Sequence, residues 1–526
     1  MSARTDDDHG WWAFAARRTR YLPLAIVAAS AMLVAACGGG PTGSGSAPSD
    51  AVGIVLAQEP RSMGSWTAYS QEGAPWIFNI EESLVTRDGK TNALVGLLAT
   101  DWKQTDDHTW QFNLRQGVTF QDGTPFDATA AATALNYSWS EKNNFGVRQF
   151  MGPQITASAV SPFVLDVTTA SPDPILPARL YFSPIFSPKV LTDGTYETTP
   201  VGTGPYSFLQ WQRGQSLDLQ RNPSWWGNKP DSGQQPATIE KVHFSFNSES
   251  AVRSSSVQAG EAAVAVFVEQ SQCLPACATS TSVQTVFLRL DAATNPALKD
   301  VRVRQAIALG IDTQSLVKNF MSNGTQATQL VATGATGFVP SLKPYPYDPD
   351  QAKRLLAEAK AAGVPTNVNL TVMGRQAYVP LGDQIVQAIQ AQLTAIGLTV
   401  NSQMQENSLL QTGLRQKPAP ADRGWLLLYM HGNQLGDLSG TTATYYLCDG
   451  SASAMCDPQV DTMNKAALTL GGDQRQAAYA QIAQRIYDDY DTVPIGSPAD
   501  FYATAPNLQW QARQDQLVLV NTMRLS

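Results

Sequence analysis

Histidine, the residue most often asked to move protons, occurs only as His9, His108, His243 and His431. A serine or cysteine nucleophile needs a base within hydrogen-bond reach, and none of these histidines stands beside a recognisable nucleophile motif. No H-E-x-x-H pair, P-loop or dinucleotide fingerprint occurs. Gly202-Thr203-Gly204-Pro205 is glycine-rich, but proline removes an N–H where a phosphate cradle would need one, so it reads as a tight turn. Glu81-Glu82 and Asp488-Asp489 are adjacent residues, not a spaced acid/base couple. Glycosidase carboxylates can lie far apart in sequence, but nothing in the chain points to that chemistry. Cys273-x3-Cys277 could chelate zinc, yet structural zinc sites want four converging ligands and histidine support is lacking. Disulfides are the competing use, and with Cys448 and Cys456 three pairings are open. The expectation is a chain with no catalytic residue, no metal site and no cofactor.

The compartment bears on that choice. Arg17, Arg18 and Arg20 precede an apolar run from Leu22 to Ala36 that is too short for a comfortable membrane-spanning helix. Charged region, apolar core and small residues read as a secretory signal over residues 1–36. Ala35-Ala36-Cys37 resembles the lipobox of bacterial lipoproteins, which implies lipidation of Cys37 and cleavage before it. Residues 37–50, with Gly38 to Ser46 nearly all glycine, serine, threonine and proline, read as a flexible tether. The protein is therefore expected outside the cytoplasm, anchored to the cell membrane. There, the local pairs Cys273–Cys277 and Cys448–Cys456 are the natural disulfides. The net charge of −8 is spread without a basic block, which argues against nucleic acid as partner. Apolar content of 43% is ample for large cores.

Periodicity shows what would position a site. Asp348-Pro349-Asp350-Gln351 offers an N-cap, a proline at the first helical position and a capping-box glutamine. Ala352, Leu355, Leu356 and Ala359 then repeat at helical spacing, and Gly363 stops the helix. Val368, Leu370 and Val372 alternate as a strand; Ile385, Ile389, Leu393 and Ile396 form a second helix face; Leu398-Thr399-Val400 restarts a strand. This alternation argues for an α/β lobe. Earlier segments, such as Trp110 to Arg115 and Val242 to Phe246, carry more sheet.

Several phrases together resemble the extracytoplasmic solute-binding proteins of family 5, the peptide/nickel ABC-transporter class. They are Leu114 to Phe126, Pro200 to Tyr206, Arg221 to Gly227, Asp300 to Asp312, and Tyr347-Asp348-Pro349 opening a helix. The resemblance implies an α/β, two-lobed periplasmic-binding-protein type II fold with an extra domain inserted in the first lobe. By motif position, lobe I is expected at 51–83, 200–288 and 500–526, the insert at 84–199, and lobe II at 289–499. It also implies a hinge motion that traps solute in the interlobe cleft.

In peptide-binding relatives an aspartate following a tryptophan pairs with the peptide's α-amino group. The corresponding stretch is Trp425 to Asp437, aligned on Gly436-Asp437. His431 then stands near the usual tryptophan, with Tyr429 beside it, and Asn433 or Gln434 stands where the aspartate should be. A neutral amide accepts from an ammonium but does not neutralise it. Asp437 or another carboxylate would take over, or the ligand lacks a free α-amine. Trp66, Tyr69 and Ser70 are the first-lobe candidates to face ligand, and Arg375 and Arg415 are candidates for a ligand carboxylate. The expected partners are a short peptide, or else a metal chelate, haem, glutathione-like thiol or oligosaccharide, together with an ABC permease and its ATPase. The protein is expected to be a monomer. A non-transport cell-envelope protein on the same fold is the alternative of a different class.

Overall fold

The capping signals around Asp348 do what their chemistry predicts. In the computed structural model a helix spans Pro349–Ala361, and the Asp348 carboxylate accepts from Gln351 N–H at 2.9 Å. The reciprocal half of the capping box is not made. Gln351 Oε1 instead accepts from Arg354, and the Asp348 N–H donates to the Leu309 carbonyl. The strand Asn369–Arg375, the helix Gly382–Ala395 and the strand Thr399–Gln405 follow, and the two strands pair in parallel. The structure describes residues 50–68, 74–140, 142–143, 145, 151–376, 378–416 and 424–526.

Two large sheets organise this chain. The first has seven strands, in the order Ala276–Thr281, Ala499–Thr504, Val264–Ala265, Ala51–Leu56, Lys241–Phe246, Ser216–Arg221 and Tyr206–Gln212. The second has six: Thr325–Gln326, Thr492–Ser497, Gln284–Leu290, Trp425–Gly432, Asn369–Arg375 and Thr399–Gln405. A separate four-stranded antiparallel sheet lies between residues 99 and 169, with the helix Ala128–Ser138 packed on it. That sheet shares one apolar core with the first large sheet, whereas the second large sheet has its own. The molecule is thus a mixed α/β protein of two lobes. Among the described residues no helix is long and apolar enough to cross a membrane.

The chain passes between the large sheets at Ser282-Val283 and again at Pro498, and the Ser282 N–H donates to the Pro498 carbonyl at 3.2 Å. The edge expected at Leu288 therefore falls inside a strand. Gln284–Leu290 pairs along its whole length with Trp425–Gly432, Phe287 opposite Tyr429. Ala499, expected in lobe II, opens a first-sheet strand. A strand reads alike in either sheet, so apolar pattern places the strand but not its partners.

Three of the family phrases meet at one buried carboxylate. Glu82 accepts from the indole N–H groups of Trp225 and Trp226 and from the Thr203 hydroxyl at 2.7–3.1 Å. Arg115 lies over the Trp226 ring at 4.1 Å. Gln121 Nε2 donates to the carbonyls of Ile80, Gly204 and Tyr206. A Cβ on Gly204 would lie 2.7 Å from the Asn79 and Ile80 carbonyls, so only glycine lets these backbones approach. These motif residues weld the four-stranded sheet's region to the first lobe.

Candidate binding site

The Trp425–Gly432 strand ends in a turn whose side chains take different roles. Asn433 is buried; its amide donates to the Asp437 carbonyl and the Thr441 hydroxyl, and its carbonyl oxygen accepts from Asp437 N–H. It closes the turn on itself. Asp437, 2% exposed, caps the helix Leu438–Tyr445 by accepting from Ser439 N–H. It is also clamped by Arg475, whose Nε and Nη2 donate to its two oxygens at 2.7 and 2.9 Å. That corrects the expectation that Asp437 could replace the pocket aspartate: its charge is neutralised inside the protein, leaving nothing for a ligand ammonium. Gln434 differs, for no hydrogen bond engages its half-buried side-chain amide among the described residues. Its backbone carbonyl accepts from Arg87 at 3.0 Å, as does that of Leu435, and Arg87 falls within the 84–199 segment expected as the insert.

His431, Tyr429 and Arg375 are drawn into one aromatic cluster. The ring of His431 meets Tyr445 edge-on at 5.0 Å, Tyr445 meets Phe287 at 5.3 Å, and Tyr429 meets Tyr378 at 5.0 Å. Burial pushes the imidazole down to about 4, so it is neutral, with Nε2 hydrogen-bonded to Thr441 at 2.8 Å. The Arg375 guanidinium lies over the Tyr378 ring at 4.3 Å, and its buried Nε has no hydrogen-bond partner among the described residues. The Tyr378 hydroxyl donates to the Met430 carbonyl, tying this loop to the strand.

Other expected site residues stand apart. Trp66 is a core residue, 1% exposed, whose indole donates to the Pro184 carbonyl; in this conformation it does not face solvent. Tyr69, Ser70 and Cys37 lie outside the described residues. Arg415 is the last residue of the helix Asn407–Arg415, and its side chain lies outside them too. The four cysteines form Cys273–Cys277 and Cys448–Cys456 disulfides, so the zinc alternative loses its thiolates.

Between the sheets, beside the Pro498 passage, lies a cavity of about 480 Å³, in the range of small-solute sites. Phe267, Glu269, Asp500 and Phe501 line it from the first lobe, Met321 and Leu381 from the second. Half-buried Asp500 accepts from Gln516 Nε2 at 2.7 Å, and burial pushes its carboxyl up to about 6. Backbone strain concentrates here. Phe267 and Leu381, both lining residues, hold φ of 53°; Gln516, which supports Asp500, holds 64°; and Asn323, next to the lining residue Ser322, holds 55°. A bulky side chain in the left-handed region is disfavoured, and such residues gather where a binding surface demands them. Sequence reasoning named none of these lining residues. Leu381 also serves as N-cap of the helix Gly382–Ala395 with no side-chain hydrogen bond, a role leucine fills poorly. A missing cap before an amphipathic run was the one available signal.

Two α/β lobes joined by short passages, with a solute-sized cavity between them, define a type II binding protein. The chain belongs to the bacterial extracellular solute-binding proteins, family 5, whose middle region matches residues 93–454. It is 27% identical over 461 residues to the nickel-binding periplasmic protein of Escherichia coli K12, covering 79% of this chain and 83% of that one. It is 24% identical over 471 residues to the probable di/tripeptide-binding protein 5 of Pseudomonas aeruginosa UCBPP-PA14, covering 81% and 86%. The structure of HbpA2 from Haemophilus parasuis superposes with a TM-score of 0.78 at 20% identity, covering 90% of this chain and all of the other.

Proposed function

We propose that this chain is the lipid-anchored receptor of an ABC importer, capturing a short peptide between its lobes and delivering it to the permease. The observation that carries the reading is the cavity of about 480 Å³ walled by both lobes. Its volume suits a few residues of peptide. Apolar walls with a few polar groups fit a solute whose side chains are buried and whose termini are recognised. Arg375, with its unpartnered Nε three residues before Tyr378, is the candidate for a ligand carboxylate. Arg375, Gln434 and Tyr429 are not among the residues lining that cavity, so they are candidates to contact only a solute that extends beyond it. The lobes hinge at Ser282-Val283 and Pro498, where the chain passes between the sheets.

One observation favours a second reading, a non-peptide solute: the family's amine-binding aspartate is replaced by neutral Asn433 or Gln434. A nickel-binding relative at 27% identity points the same way. Mass spectrometry of ligand released from natively purified protein decides between them. A di- to pentapeptide is expected; a metal chelate or sugar would overturn the peptide reading. The anchor rests on Ala35-Ala36-Cys37. Cys37→Ala should move the protein from membrane to soluble fraction, and retention with lipid label intact would sink the anchor.

A further inference from the structure

We propose that Asp500 is the anionic recognition group of the interlobe cavity, and that the solute end it receives is an ammonium joined to an apolar moiety. The inference rests on the binding-protein reading and narrows its ligand.

The cavity wall has a one-sided charge. Glu269 and Asp500 contribute carboxylates, while none of its lining residues is lysine, arginine or histidine. A carboxylate end of a solute would be repelled there, and a cation would be drawn in. Of the two acids, Glu269 is exposed on the rim and Asp500 is half-buried on the floor strand. One Asp500 oxygen accepts from the neutral Gln516 amide; its other oxygen has no hydrogen-bond partner among the described residues. Gln516 fixes the rotamer of the carboxylate without neutralising it. Asp437 is the opposite case, closed off by Arg475. Around Asp500 the walls are Phe267, Phe501, Met321 and Leu381, whose aromatic faces favour a cation and whose apolar surface favours a hydrophobic group attached to it. The strained φ of Phe267, Leu381 and Gln516 all serve this wall: two supply its surface and the third holds its charge. For a peptide, this end is the N-terminus with an apolar first residue.

The test uses the full chain and three probes in calorimetric titration at pH 7.5: L-leucyl-L-leucine, its N-acetyl derivative, and 2-phenylethylammonium chloride. The wild-type chain should bind both amines and bind the acetylated peptide at least tenfold more weakly. Asp500→Asn, an isosteric change, should weaken both amines at least tenfold, while Asp500→Glu retains part of the affinity. Amine binding by Asp500→Asn at wild-type affinity overturns the assignment, as does failure of every amine to bind the wild type. If phenylethylammonium alone binds, and is lost in Asp500→Asn, the Asp500 assignment holds and the peptide reading falls. If free and acetylated peptides bind alike to both forms, the peptide reading holds and the Asp500 assignment falls.

Discussion

Asp437 and Asp500 are both aspartates near the junction of the lobes, and their surroundings give them opposite work. Asp437 lies 2% exposed in a bidentate pair with Arg475, whose guanidinium also donates to the Ala467 and Leu468 carbonyls. Removing one member of such a buried pair strands the other. Asp437→Asn should therefore cost about 3–5 kcal/mol of stability in urea denaturation, with solute affinity of the folded protein unchanged; lost affinity at unchanged stability would return Asp437 to the site. Burial, by contrast, pushes the Asp500 carboxyl up to about 6. The groups around it are the Gln516 amide, the Tyr502 phenol and the Glu269 carboxylate, none of them cationic at neutral pH. An ammonium ligand needs the ionised form, so its affinity should rise as pH goes from about 5 to 7 and then level off, as titrations at fixed ionic strength would show. Asp437 was visible in the sequence as a candidate, but its partner lies 38 residues further on. Nothing local announced that its charge was already matched.

At the scale of elements, short-range signals place most of what they announce, although the capping-box glutamine Gln351 accepts from Arg354 instead of closing the box. The Asp348 cap, the helices it opens and the parallel strands that follow all appear where spacing put them. The Cys448–Cys456 disulfide closes a loop of eight residues just after the candidate turn. Its removal by Cys448→Ser with Cys456→Ser should cost about 2–3 kcal/mol in urea unfolding, the chain-entropy value for so short a loop. Leu381 is the element-scale exception. It opens a helix without a cap, in the left-handed region and 47% exposed. Leu381→Asn should stabilise the fold by about 1 kcal/mol by relieving that conformation and weaken solute binding by removing an apolar wall. A change that improved both would show that the strain serves no binding surface.

The whole molecule is sensitive to pH through carboxylates it has buried. Burial pushes Glu81 up to about 8 and Glu82 and Asp491 to about 7. A carboxyl whose folded pKa exceeds its unfolded value contributes stability at low pH that is lost as pH rises through the folded value. His431, pushed down to about 4, acts in the opposite sense between pH 4 and 6.5 and is silent above. Between pH 6.5 and 8.5 the ionisation of these carboxylates should lower the thermal midpoint. Glu81→Gln should flatten that decline; an unchanged slope would remove Glu81 as its source.

The sequence alone determined the family and the α/β class, because its motif phrases, caps and periodicities are short-range. Their chemistry can be read within a dozen residues. Even the work of the motifs was hidden, since Trp225, Trp226 and Thr203 prove to be tied together through Glu82. Only the tertiary structure decided which candidates could meet a solute. It sealed Asp437 under Arg475, turned Trp66 into the core and placed Asp500 on a cavity wall beside Phe267 and Leu381. Whether a charge is free depends on partners brought close by folding, and such partners carry no signature in the residues around it.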